Sequence, residues 1–237
     1  SNDPVGDRSG EAIYVRDDDS GLLFGPTALP VRKASGDYLA RHGRGYSRFE
    51  HTRADIALDL LQFVPGDEPV KVSRLRIRNL SGRTRHLTLT AYVEWVLGTS
   101  RSSTAPFIAT EIDPVTGGML ARNLWGGTDT RVAFTDLGGL QTAWTGNRME
   151  FIGRNGTLER PAALATGARL SGRTGAGLDP CGALQTSVVL AAHSSVDLVW
   201  LLGEAGTAQA AQALIARWRG EDVDVALQSV RADWSAV

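Results

Sequence analysis

The chain has 237 residues, of which 42% are apolar and 22% charged, with a formal net charge of -1. Such a chain can bury a substantial core as one large domain. The values exclude a disordered polymer and a basic field that would draw nucleic acid or an anionic membrane surface.

No apolar run reaches the roughly 20 residues that a membrane-spanning helix needs. Residues 196–202 are only strand-length and are interrupted by Asp197. The first ten residues are polar, unlike a secretory signal, and the chain opens on Ser1-Asn2 without methionine. That reads as a piece of a longer protein. Cys181 is the single cysteine, so neither an internal disulfide nor a multi-cysteine zinc site can form. A lone thiol is compatible with a reducing, cytoplasmic setting.

In chain order, the first strand pattern covers residues 11–16 and runs into Asp17-Asp18-Asp19-Ser20-Gly21. Three aspartates invite a metal-site reading. A calcium loop, however, needs oxygen ligands at alternating positions and a distal carboxylate, and adjacent aspartates on an extended chain point to opposite faces. Asp also supports turns. The expectation is a hairpin turn with exposed side chains and no metal. Further strands are predicted at 46–51, after a tight glycine loop, and at 56–64, before the turn Pro65-Gly66-Asp67.

Residues 70–79 alternate, but Val70 and Val72 have one parity while Leu75 and Ile77 have the other. A β-bulge near Ser73 would reconcile them, because one extra residue flips the faces. After Ser81-Gly82-Arg83 comes the clearest alternation, residues 87–97. Shorter strands are predicted at 131–135 and 149–152, a long surface loop at 166–177, and a hairpin from 186–192 and 196–202 turning at His193-Ser194-Ser195. Many strands with Gly- and Pro-rich turns mean a sandwich or barrel.

Helical spacing begins after Gly206. Ala211, Leu214, Ile215 and Trp218 form one stripe, and Val223, Leu227, Val230 and Trp234 a second.

Several stretches carry chemistry-bearing residues. In residues 41–51, RHGRGYSRFEH, Arg44 offers a bidentate donor and Tyr46 a ring that could stack on a sugar. His42 and His51 could titrate near neutrality, or one could be structural. Residues 145–156, TGNRMEFIGRNG, concentrate Arg148, Glu150, Arg154 and Asn155 beside a strand. Glu111 and Asp113 would share a face of a strand; nothing selects them as the paired carboxylates of a glycosidase, and a solvated strand edge is the plainer reading. Cys181 reads as a buried small apolar residue.

Taken in order, YVRDDDSGLLFGPT, RHGRGYSRFEH, RIRNLSGRTRHLTLTAYVEWVLG, EFIGRNG followed by Pro161, and GLDPCGAL followed by WLLGEAG resemble the N-terminal portion of the cellobiose and chitobiose phosphorylase family. The closest likeness is to the phosphorylase-like region of cyclic β-1,2-glucan synthases. The resemblance implies a mainly β fold, a large antiparallel β super-sandwich of galactose-mutarotase type over residues 1–205. Residues 206–237 would then be a two-helix linker toward an α/α-barrel catalytic domain that this chain lacks.

The resemblance further implies no catalytic residue, metal or cofactor in this chain, with inorganic phosphate as co-substrate of a parent phosphorylase. The implied partners are a β-linked glucan or oligosaccharide, the missing barrel and a second copy of the protein, with no nucleic acid and no membrane contact by this part; a parent with membrane spans would keep it on the cytoplasmic side. Arg44, Tyr46, Asn147 and Arg148 lie in matching motifs and are the candidates for the rim of a carbohydrate site. Two other functions compete with this accessory role. One is an autonomous mutarotase-like epimerase. The other is a stand-alone carbohydrate-binding module, with Trp125 and Trp144 as stacking platforms.

Overall fold

The computed structural model describes residues 10–32, 36–125 and 130–236. Their strands, in chain order, are β1 (Glu11–Asp17), β2 (Leu23–Phe24), β3 (Tyr38–Gly43), β4 (Tyr46–Arg53), β5 (Ile56–Phe63), β6 (Val70–Asn79), β7 (Arg85–Glu94), β8 (Ile108–Ile112), β9 (Met119–Asn123), β10 (Val132–Asp136), β11 (Ala143–Asn147), β12 (Pro180–Leu190) and β13 (Ser195–Ala205). The helices are α1 (Arg101–Thr104), α2 (Arg148–Phe151), α3 (Ala162–Thr166), α4 (Ala208–Gly220) and α5 (Val223–Ala236).

Among the described residues two antiparallel sheets form, in the orders β11-β12-β7-β1-β2 and β3-β4-β5-β6-β13-β10-β9-β8. The super-sandwich and the two C-terminal helices are as expected. Leu75 and Ile77 of β6, Leu87 and Leu89 of β7 and Trp200 of β13 fill the space between the sheets. A second apolar layer lies on the outer face of the larger sheet. There Phe63, Val72, Phe134 and Leu201 meet Ile215 and Trp218 of α4 and Val230 of α5. On the outer face of the smaller sheet, Tyr14 and Tyr92 are covered by Phe151 of α2 and Leu164 of α3.

This layering explains the parity change in β6. Its pairing with both neighbours is continuous, from Ile56↔Asn79 to Phe63↔Val72 on one side and from Ser195↔Arg78 to Gly203↔Val70 on the other. There is no bulge at Ser73. Val70 and Val72 point to the helices, whereas Leu75 and Ile77 point between the sheets. The apolar residues change parity because the covered face changes along one regular strand.

Other expectations need correction. β12 and β13 are not a hairpin: they belong to different sheets, and the turn at His193 is a corner between them. Asn79 ties this corner down. Its Nδ2 donates to the carbonyls of Arg83 (2.7 Å), Leu190 (3.2 Å) and Ala191 (2.9 Å). The expected strand at 149–152 is instead the helical turn α2, because the Asn147 side chain accepts from Met149 N–H at 3.1 Å and caps it. The alternation of 87–97 ends as strand at Glu94, and Leu97 has a positive φ of 41°. The tight glycine loop before 46–51 is the turn Arg44-Gly45, and it is preceded by a strand that was not expected, β3, paired with β4. The expected long loop starts in α3 and buries Leu170.

The aspartate run does close the β1–β2 hairpin, but not with uniformly exposed side chains. Asp17 is buried and ion-paired to buried Arg85 at 2.7 Å. Burial alone would raise its carboxyl pKa. Hydrogen bonds from Ser20 and Arg85, the Arg85 charge and the Asp19 amide outweigh this and hold it below the ordinary carboxylate value. Asp113 also departs from expectation. It is buried just beyond β8, accepting from Thr116 N and Oγ1 (both 2.7 Å) and from Gln212 Nε2 (2.7 Å). Glu111 instead faces Arg122 at 3.0 Å, so the two carboxylates do not form a pair.

Candidate functional site

The four rim candidates fall on two different sheets. Arg44 and Tyr46 sit at the tip of the β3–β4 hairpin, where Gly43 pairs with Tyr46 and Arg44-Gly45 makes the turn. Gly45 is required there for two reasons. Its φ is +76°, and a Cβ would lie 2.7 Å from both Trp234 Nε1 and Val230 Cγ1. The tip is therefore pressed against α5. The Arg231 guanidinium of α5 lies 5.7 Å above the Tyr46 ring. Arg44 is exposed.

An open cleft of about 450 Å³ runs beside this tip, bounded by the end of β3, the start of β4, the end of β5, the start of β6 and the end of α5. Its lining includes His42, Tyr46, Gln62, Phe63, Lys71 and Trp234. His42 Nδ1 lies 2.9 Å from Ser47 Oγ, Gln62 Nε2 donates to Ser73 Oγ at 3.0 Å, and Lys71 Nζ donates to Glu11 at 2.7 Å. His51, by contrast, is structural. It is buried, stacked on Tyr38 at 3.9 Å, with Nδ1 directed at the Asp37 carbonyl.

Asn147 and Arg148 lie at the far edge of the smaller sheet. A register irregularity between Thr145 and Asn147 ends β11. The Asn147 carbonyl is committed to capping α2. Arg148 enters a half-buried cluster of four charges. Its Nε is 3.6 Å from Glu94 and its Nη1 3.5 Å from Asp179, and Arg101 bonds both of the same carboxylates. Glu150 holds the following loop by accepting from Thr145 Oγ1 and from Ser171 N and Oγ. Beneath this cluster Cys181 is fully buried; burial, reinforced by the charge of Glu94, pushes its thiol pKa up. No hydrogen bond, ion pair or ring contact among the described residues joins the Arg44–Tyr46 tip to the Asn147–Arg148 edge.

Of the two tryptophan candidates, Trp125 is 69% exposed and rests against Phe107 with ring centroids 4.5 Å apart. Trp144 is partly buried against the core and donates its Nε1–H to the Gly172 carbonyl at 3.1 Å. Gln62, Lys71 and Trp234 did not stand out as site residues in the sequence. Gln62 and Lys71 lie on the paired strands β5 and β6, and only the packing of α5 on the hairpin brings the distant Trp234 to them.

The model of the glycosyl hydrolase 94 supersandwich domain matches residues 1–221. The chain belongs to this family. The supersandwich is 37% identical over 235 residues to the cyclic β-(1,2)-glucan synthase NdvB of Rhizobium meliloti, covering 99% of this chain and 8% of that protein. It is 29% identical over 204 residues to the N,N'-diacetylchitobiose phosphorylase of Vibrio furnissii, covering 83% of this chain and 25% of that one. The supersandwich thus spans a quarter or less of these relatives' length. Among solved structures, a bacterial glucoamylase complexed with acarbose aligns with a TM-score of 0.60 at 8% identity, over 95% of this chain and 31% of that one. A putative kojibiose phosphorylase from the human microbiome aligns at 0.56 and 7% identity, over 94% and 27%. At these identities the likeness is one of fold.

Proposed function

We propose that the chain is a non-catalytic accessory domain of a β-glucan phosphorylase or a cyclic β-1,2-glucan synthase. In this role it supports an α/α-barrel catalytic domain elsewhere in the parent protein, takes part in dimer contacts, and lends Arg44, Tyr46, Asn147 and Arg148 to the rim of a carbohydrate site. Inorganic phosphate is the co-substrate if the parent is a phosphorylase, and the domain lies on the cytoplasmic side. The observation that carries this reading is the family match over residues 1–221 in a chain that spans 8% of the synthase and 25% of the phosphorylase.

The local chemistry supports it. An autonomous epimerase needs an acid and a base across a sugar ring. The half-buried carboxylates Glu94 and Asp179 are each engaged by two arginines, which favours a structural cluster over a poised base. The test is to incubate the chain with inorganic phosphate and β-linked glucose disaccharides. No glucose 1-phosphate should be released. Release that disappears when a carboxylate of this chain is replaced would overturn the proposal, as would a parent reading frame with no barrel.

A further inference from the structure

The last apolar residue of α5 behaves unlike the rest of its stripe. Val223 and Val230 are buried, yet Trp234 is 56% exposed. A large apolar ring left at a surface is informative when polar groups surround it. Here the indole leans on Gly45 at the edge of the cleft beside the β3–β4 tip. The cleft volume of about 450 Å³ lies within the range of small-molecule sites.

Its lining combines the rings of Trp234, Tyr46 and Phe63 with the polar side chains His42, Gln62 and Lys71. Hydrogen-bonding capacity remains after the internal contacts are counted. Gln62 uses its Nε2 on Ser73, leaving its carbonyl, and Lys71 uses one of three N–H groups on Glu11. The Tyr46 hydroxyl and the Trp234 N–H have no partner among the described residues. The only full charge in the lining, Lys71, is matched by Glu11. Such a surface suits neither a metal ion nor a strong anion. It suits a neutral polyol with apolar C–H faces, since aromatic rings supply contact area while the side chains meet hydroxyls.

We propose that this cleft binds a glucosyl unit of a glucan, with Trp234 as the stacking platform and Gln62 and Lys71 as hydroxyl partners. The choice of sugar rests on the reading that the domain serves a glucan-acting enzyme; the site itself rests on the geometry.

Isothermal titration of the chain with a β-1,2-linked glucose disaccharide and with cellobiose tests it. Binding with a Kd on the order of 1 mM is expected for an open site. Trp234→Ala should weaken it roughly tenfold, the scale of one lost aromatic contact. Gln62→Ala, on β5 and hydrogen-bonded to Ser73 of β6, should weaken it as well, so that loss of binding is not merely loss of the helix. Absence of binding by the unaltered chain, or binding that survives both substitutions, would overturn the proposal. So would binding abolished by Trp125→Ala but not by Trp234→Ala. None of these results touches the accessory-domain reading, which is decided by the glucose 1-phosphate assay and the parent reading frame.

Discussion

Arg85 Nη2 donates to Asp17 Oδ2 at 2.7 Å, with both side chains almost fully buried and 68 positions apart in the chain. The same guanidinium donates through Nη1 to the Ala54 carbonyl at 2.7 Å. Ala54 and Asp55 both have positive φ, 48° and 61°. One arginine therefore joins the β1–β2 turn, the β4–β5 turn and the first residue of β7. Arg85 is thus the pin between the two sheets, and the first aspartate of the run, its neighbour in the same sheet, holds it in place. Removing one partner of a buried pair leaves the other charge uncompensated, at a cost of about 3–5 kcal/mol. Asp17→Ala should lower the denaturant midpoint accordingly. A loss below about 1 kcal/mol would show that the pair contributes little.

The same pair sets an acid limit. Asp17 and Asp113 both have depressed pKa values in the folded chain. Their contribution to stability is complete above the unfolded carboxylate value of about 4 and is lost as pH falls through the lower folded values. The chain should therefore keep its stability from neutrality to about pH 5 and lose it increasingly below pH 4. Asp17→Asn should flatten that acid limb. An unchanged limb in thermal melts across pH 2–6 would assign the acid sensitivity to other groups.

Asn79 holds two of the sheet-to-sheet corners, β6–β7 and β12–β13, through three carbonyls, and its Oδ1 accepts from Ser81 N and Oγ at 3.0 and 2.6 Å. Asn79→Asp keeps the shape and the acceptor but removes the donor and sets a carboxylate against carbonyl oxygens. Unsatisfied buried groups cost about 1–3 kcal/mol each, so a loss of at least about 3 kcal/mol is expected. Amide exchange should rise first at residues 80–84 and 190–194. Exchange confined to other turns would refute the corner role.

α5 is held to the hairpin through Gly45. Gly45→Ala adds strain at φ +76° and meets Trp234 and Val230, with an expected cost of about 1–3 kcal/mol. Val230→Ala should cost about 2 kcal/mol through lost burial. Trp234→Ala should cost less, because the ring is more than half exposed. In all three, hydrogen exchange should rise in α5 and at the hairpin tip while β7 stays protected. Loss of protection throughout β7 would place α5 in the central core.

The strands most legible in the sequence, β5, β6, β7, β12 and β13, are the long ones, and β7 in particular alternates with period two, a local property of an extended chain. The stripes of α4 and α5 were legible for the same reason. Of the five-residue strands β8, β9, β10 and β11, only β10 was legible in the sequence, because so short a segment carries few alternations. The shift of apolar parity along β6 was visible, but its cause was not: whether Val72 or Leu75 faces a sheet or a helix depends on what is stacked on each side. Asn147 turns strand pattern into helix by capping, and β12 and β13 look like a hairpin because a corner and a turn use the same residues. The site was less legible still. Arg44 and Tyr46 could be picked out by residue type, but the cleft needs Gln62 and Lys71 from neighbouring strands and Trp234 from the end of α5. By itself the sequence determined the sandwich, the two C-terminal helices and the family. Which charges are buried, which strands share a sheet and which side chains line one cleft were decided only by tertiary packing, because those contacts join residues from distant parts of the chain and leave no periodic trace along it.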